Sequence, residues 1–364
     1  MIYLDHAATT PLCEAAKKAI IEHIDDFGNP SSAHELGRKS RVLIEDARER
    51  IARCINAKPE EIYFTSGGSE ANTWALNGLR VLSSPIEHHS AYQKNHFIDI
   101  SNDGIINVND LDDAINGGGI MSVPDILACM MVNNELGTIQ PIKQMLPIIW
   151  DNAIWLHVDG VQAVGHIPVD VKDLKCRSLS MSAHKFGGLK GVGALYLGKS
   201  HYTYKLINGG KQEQGLRGGT ENILGIVSMV AALEDAIEHM EERNAHVKYL
   251  RDRLLDRLLQ IPGSFLNGSL KNRVSGNINI RFDGVSGSRL VTLCSLYGVY
   301  ISSGSACNEG ISEPSHVLKA IGLTDEEALS SVRITIGHEN TEKEIDEAAK
   351  IITVLVERIR NDNE

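Results

Sequence analysis

In the segment "SLSMSAHKFGGLKGVGALYL", Lys185 follows an alternating apolar run and precedes a glycine-rich turn. A lysine at the C-terminal edge of a strand, partly removed from water, has a lowered pKa and becomes an amine able to form a Schiff base with an aldehyde. Asp159 follows the run "IWLHV" in the same manner. Two strand ends would then present an amine and a carboxylate to one crevice, at the edge where open α/β sheets bind ligands. The stretch "TSGGSEAN" adds a glycine turn at a helix start, where free backbone N–H groups and the helix dipole attract an anion.

Amine, carboxylate and anion cradle together are what pyridoxal phosphate requires. The lysine takes its aldehyde carbon, a carboxylate keeps its ring nitrogen protonated, and fixed donors hold its phosphate. His88, read as ending a β-like segment at "PIEH", has a flat ring that can stack on such a cofactor, and Arg333 has a planar fork that matches a substrate carboxylate. Cys307, in "SSGSACNEG", has small and polar neighbours that leave a thiol accessible and able to ionise. Taken singly, each has an ordinary structural reading: a solvated lysine, a capping aspartate, a hydrogen-bonded histidine, a surface ion pair, an unused thiol. Their weight comes from the combination.

The elements that must position these residues are legible as alternation. From about residue 60 to 200 the apolar runs "IYFTS", "ILACMMV", "IWLHV", "SLSMS" and "VGALYL" alternate with helical patterns, which predicts a mostly parallel sheet covered by helices. After "IYFTS", Ala71, Trp74, Ala75 and Leu79 recur at helical spacing. An amphipathic helix over 245–260, with Val247, Leu250, Leu254 and Leu258 on one stripe, leads into an α+β C-terminal part. That part comprises a strand at "GNINIRF", an apolar segment at 290–301, the cysteine loop, a strand at "RITIG" and a last helix opened by Thr341 and Glu344 as a capping box. The organisation expected is a large domain over 15–255 and a small domain built from 1–14 and 256–364.

The chain has 364 residues, 42% of them hydrophobic, enough for a sizeable core, and a formal net charge of −11. That balance argues against nucleic acid or an anionic membrane as the main partner. The start "MIYLDHAATTPL" lacks the charged and apolar regions of a signal peptide, and no run reaches the length of a membrane span, so a cytoplasmic protein is expected. The six cysteines show no C-x-x-C pair or ligand-like spacing, so neither a disulfide framework nor a zinc site is indicated.

The motifs "YLDHAATTP", "GNPSSAHELGR", "FTSGGSEAN", "EHHS", "VNNELGTIQP", "HVDGVQAVG", "SAHKFGGLKGVGALY", "GLRGGTEN", "SSGSACNEGISEPSHVL" and "SSVRITIG" occur in the order found in NifS/IscS-type cysteine desulfurases. The sequence resembles that family over nearly its whole length. The resemblance implies an α/β, fold-type I, pyridoxal 5'-phosphate-dependent enzyme of the class V aminotransferase family. It implies a homodimer, each subunit having a large domain with a mostly parallel seven-stranded sheet and a smaller α+β C-terminal domain. The implied activity removes sulfur from L-cysteine, giving L-alanine and a persulfide on Cys307. An acceptor protein would then take that sulfur for iron–sulfur cluster or other sulfur-compound biosynthesis.

Carried over residue by residue, the resemblance gives Lys185 the cofactor aldehyde, His88 the ring face, Asp159 the ring nitrogen and Gln162 the ring hydroxyl. Gly68, Ser69, Ser182 and His184 match the phosphate positions, with Thr220 reaching across from the other subunit. Asn134 and Arg333 match the positions that bind the substrate carboxylate. A selenocysteine lyase or another class V lyase would share nearly all of these residues. A non-catalytic paralogue acting as a binding module is a further reading, against which Lys185 and Cys307 stand together. The chain departs from the family pattern at Ser69, where threonine is common, and in the short segment between Trp74 and Asp99. It also ends soon after its last helix, so docking to an iron–sulfur scaffold through a longer tail is not expected.

Overall fold

The computed structural model describes residues 1–92, 98–116, 124–198, 204–303 and 313–362, so Cys307 lies outside the described residues. Strands form where the apolar runs are, and Ile62–Thr65, Ile126–Met130, Ser178–Ser182 and Gly193–Leu197 are buried at every position. Burial on both faces is the mark of a sheet covered by helices. Among the described residues the main sheet has six strands, where the resemblance implied seven. They stand in the order Ile62–Thr65, Gly193–Leu197, Ser178–Ser182, Trp155–Asp159, Ile126–Met130, Val81–Ser83. The last four pair in parallel. Gly193–Leu197 runs antiparallel to both of its neighbours. Two reversals restore the direction of Ile62–Thr65, so Thr65, Met130, Asp159 and Ser182 all end at one edge.

The helix after the first strand runs Gly68–Leu76 and buries Ala71, Trp74 and Ala75, while Leu79, expected on the same stripe, lies beyond its end. The strand before His88 is also shorter than the sequence reading. Val81–Ser83 ends before Pro85, which cannot donate to a ladder, and His88 stands in the turn region that follows rather than at a strand end.

A second, antiparallel sheet is ordered Ser302–Ser303, Ser331–Thr335, Asn277–Phe282, Ser264–Leu266. Helices Met240–Leu258 and Glu342–Asn361 back it. The capping box at Thr341 is present, with Thr341 Oγ1 accepting from the Glu344 backbone N–H and the Glu344 carboxylate accepting from the Thr341 N–H. Val247, Leu250, Leu254 and Leu258 pack with Ile345, Ile352 and Leu355 in one core, distinct from that of the main sheet. The long helix therefore belongs to the second core from Val247 onward. The change of core falls between Ala236, in the helix Ile223–Glu238, and Val247, in the helix that follows. The apolar segment 290–301 divides into the end of a helix, Gly287–Leu296, and a short strand, Val299–Tyr300, that pairs with Ile2–Tyr3. From that pairing the N-terminal segment crosses to the first domain, where Thr10 N donates to His184 O (2.9 Å) and Cys13 N to Gly187 O (3.0 Å). No helix among the described residues is long and apolar enough to cross a membrane.

Candidate active site

The shared strand edge, the crossing N-terminal segment and the strand Ser331–Thr335 enclose a cleft of about 310 Å³. Ten of the twelve residues singled out from the sequence line it: Gly68, Ser69, His88, Asn134, Asp159, Gln162, Ser182, His184, Lys185 and Arg333. Thr220 is exposed and does not line its own subunit's cleft. Cys307 is the twelfth.

Lys185 ends the single helical turn Ala183–Lys185 that follows the strand Ser178–Ser182 directly. Its Nζ donates to the carbonyls of Ala7 (2.6 Å) and Ala8 (2.9 Å). Burial, and then the neighbouring Arg333 cation, pull its pKa from 10.5 down to about 8. Asp159 is buried at the end of its strand, where Oδ2 accepts from Asn72 Nδ2 (2.7 Å) and Oδ1 from Val161 N (3.0 Å). Gln162 Nε2 donates to the same Ala7 carbonyl that Lys185 uses (2.9 Å).

No side chain caps the helix Gly68–Leu76, which leaves its first backbone N–H groups available at the cleft wall. A Cβ on Gly68 would come within 2.4 Å of Val161 Cγ2, so only glycine lets this turn approach the strand end carrying Asp159 so closely. Ser182 Oγ lies 3.7 Å from where a Cβ on Gly67 would stand, which places a hydroxyl beside the same turn. His184 Nδ1 lies 3.1 Å from Thr9 Oγ1, and burial, with Lys185 and Lys190 nearby, lowers its pKa to about 4, so it is a neutral ring. An uncapped helix start flanked by hydroxyls is a donor set that fits a phosphate.

Arg333 lies in the middle of Ser331–Thr335, nearly buried. Nη2 donates to Asp5 Oδ1 (2.8 Å) and Nη1 to the Asn134 carbonyl (3.0 Å), while the buried Nε has no partner. An unmet guanidinium donor in a cleft fits a carboxylate ligand. Ser302 pairs with Arg333 and Ser303 with Val332, and Ser303 is the last described residue before the stretch that contains Cys307. On its far side Ser315 Oγ donates to Glu135 Oε2 (2.6 Å).

Sequence reasoning missed Asn72, Ser90, His157 and Asp5. Two of them carried a signal: Asn72 follows Gly68 by one helical turn, and His157 precedes Asp159 by two residues on one strand face. Asp5 carried none, because its partner Arg333 is 328 residues away. Among the described residues no group of three or more His, Cys, Asp or Glu side chains could hold a metal ion.

Comparison with known proteins adds to the geometry. Residues 2–348 match the family model described as Aminotransferase class-V. The chain is 38% identical over 380 residues to cysteine desulfurase IscS of Methanosarcina thermophila, an alignment that covers 99% of this chain and 93% of the relative. Among solved structures, a NifS-like protein from Rickettsia africae is similar with a TM-score of 0.89 and 30% identity, over 99% of each chain. A protein named SspA, solved in complex with cysteine, is 30% identical with a TM-score of 0.78, over 94% of this chain and 100% of that one.

Proposed function

We propose, since the chain belongs to the class-V aminotransferase family and within it to the NifS/IscS-type cysteine desulfurases, that it uses pyridoxal 5'-phosphate to take sulfur from L-cysteine. L-alanine leaves, and the sulfur stays on Cys307 as a persulfide. The observation that carries this reading is convergence in one cleft: the Lys185 amine with its pKa near 8, the Asp159 carboxylate, an uncapped helix start and the unmet Arg333 donor.

Gly68, Ser69, Ser182 and His184 would hold the phosphate, Asp159 the ring nitrogen, Gln162 the ring hydroxyl, His88 a ring face and Lys185 the aldehyde carbon. When bound, the cofactor supplies an electron sink for bond breaking next to the substrate's amine-bearing carbon. Arg333 and Asn134 orient the substrate carboxylate. Lys185 Nζ, with a pKa near working pH, can hold or release a proton beside the substrate. Cys307 Sγ attacks the substrate sulfur, so that a sulfur–sulfur bond forms as the carbon–sulfur bond breaks. The electron pair left on carbon ends in a C–H bond of alanine. One cysteine and one protein thiol give one alanine and one persulfide, and no outside oxidant is consumed.

The same reading makes the protein a cytoplasmic homodimer that passes its sulfur to an acceptor protein. Supporting this, Thr220 is exposed and off its own cleft, and Ile24, Phe27, Leu36 and Val42 leave apolar side chains exposed that a subunit interface would cover. The test is to supply L-cysteine and, separately, L-selenocysteine to the cofactor-loaded protein, following alanine release and the mass of the peptide holding Cys307. Alanine together with added sulfur on Cys307 is the expected result. Turnover of selenocysteine alone would make it a selenocysteine lyase, and no alanine from either would overturn the reading.

A further inference from the structure

We infer that Asn72 is a positioning residue: its side-chain amide ties the Asp159 carboxylate to the His88 imidazole and fixes the tautomer of that histidine. The inference rests on the reading above for the purpose of the two groups, and on hydrogen-bond logic for everything else.

Asn72 is buried on the helix Gly68–Leu76, and both protons of its amide are engaged. One goes to Asp159 Oδ2 (2.7 Å) and the other to Ser90 Oγ (2.9 Å). A carboxylate in this pairing only accepts, so the NH₂ end of the amide must face Asp159 and Oδ1 must face His157. His157 Nε2, 2.9 Å from Asn72 Oδ1, therefore carries the proton, and His157 Nδ1 accepts from Ser178 Oγ at 2.9 Å. Full burial lowers the His157 pKa to about 4, so the ring is neutral, as this pattern demands.

The other arm of the amide runs to the cleft. Ser90 Oγ accepts from Asn72 and has a single proton left, which it gives to His88 Nδ1 at 2.7 Å. The Ser90 backbone N–H donates to the same nitrogen at 3.1 Å. A ring nitrogen that accepts from two donors carries no proton, so His88 is held as the Nε2–H form. A proton added at Nδ1 would meet the Ser90 N–H and break the chain to Asn72. Desolvation pulls the His88 pKa down in the same sense, against the opposing charge of Asp159 and with His89 and Lys185 as the other titratable groups acting on it. One buried amide thus orients the carboxylate and, by engaging Ser90 Oγ as an acceptor, directs the hydroxyl proton to His88 Nδ1, although one of the two side chains stands at a strand end and the other in a turn region.

The test uses the full-length apoprotein with isotope-labelled histidine, reading the His88 tautomer by nitrogen NMR, and cofactor affinity by titration. The wild-type ring should be Nε2–H. Asn72→Ala frees the Ser90 hydroxyl to turn and accept, which should lower the Nε2–H share, and it should weaken cofactor binding roughly 10- to 100-fold, the range for losing one hydrogen bond to a charged group. Ser90→Ala removes one of the two donors to His88 Nδ1 and leaves the Ser90 N–H at 3.1 Å, so the Nε2–H share should fall toward a mixture while cofactor affinity falls far less than in Asn72→Ala. It also decides the matter should Asn72→Ala fail to fold. An Nε2–H share in Ser90→Ala undiminished from wild type, or Asn72→Ala holding cofactor as tightly as wild type, would overturn the inference. A wild-type protein that binds no pyridoxal phosphate would instead sink the proposed function, with the tautomer measurement still deciding the hydrogen-bond claim.

Discussion

In the apoprotein, Lys185 should meet an aldehyde as an amine of pKa about 8 instead of 10.5. Desolvation gives the larger part of that depression and the Arg333 cation adds to it, while Asp159 and Asp5 oppose. At about pH 7.5 such an amine is roughly one quarter neutral, against about one part in a thousand for an ordinary lysine, which is roughly 200-fold more of the reactive form. The assay is the rate of pyridoxal phosphate uptake by the apoprotein, followed by absorbance across the range from about pH 6 to about pH 11. The rate should level off just above the lowered pKa, and Arg333→Gln should move the midpoint upward, because a cation is lost beside the amine. The same depression has a sign in stability. A lysine whose pKa is lower folded than unfolded destabilises the fold while both states are protonated, so the cost is complete below pH 8 and fades as pH rises toward 10.5. A gap of that size corresponds to about 3 kcal/mol. Lys185→Met should therefore stabilise the apoprotein at neutral pH by up to about 3 kcal/mol, less the two carbonyl hydrogen bonds it forfeits, and the pH-dependent gain should disappear in alkali. A wild-type midpoint near 10.5, or a gain in Lys185→Met that does not change with pH, would refute the desolvation argument.

Arg333→Ala should raise the Michaelis constant for cysteine roughly 10- to 100-fold with the cofactor still bound, and Arg333→Lys should restore little, because an ammonium cannot copy the planar fork; steady-state kinetics at saturating cofactor would show it. Cys307→Ser should bind cofactor and cysteine yet yield neither alanine nor persulfide, as read by amino-acid analysis and mass spectrometry. Away from the cleft, Arg48 Nη1 and Nη2 bind Glu213 Oε2 and Oε1 at 2.9 Å each, with both side chains buried. Arg48→Met strands that carboxylate and should cost about 3–5 kcal/mol in denaturant unfolding, with part recovered in Arg48→Met combined with Glu213→Gln. Sedimentation at assay concentration should give a dimer, and a fully active monomer would contradict the shared-site proposal for Thr220.

The chemistry of this protein was legible wherever it is local. The run "IWLHV" is followed at once by Asp159, which closes its strand, and "SLSMS" is followed three residues on by Lys185, which closes the turn after its strand, so both the strands and the nearness of the reactive side chains to their ends can be read from sequence. The capping box at Thr341 is likewise written in residues three apart. Periodicity also showed that Val247, Leu250, Leu254 and Leu258 bury one face, but a stripe does not say which core it joins, and the helix joins the second core from Val247 onward. His88 was read at a strand end, although Pro85 stops the ladder before it. Only the tertiary structure decided that Asp5 and the Ala7 and Ala8 carbonyls lie against Arg333 and Lys185, because that meeting depends on the N-terminal segment pairing with Val299–Tyr300 and then crossing between domains. The Asn72 amide is the same case. Of its three partners His157 and Asp159 share one strand while Ser90 lies in a turn region far from them in the chain, and bringing these to the helix that carries Asn72 requires a sheet order and register that no single stretch of sequence encodes.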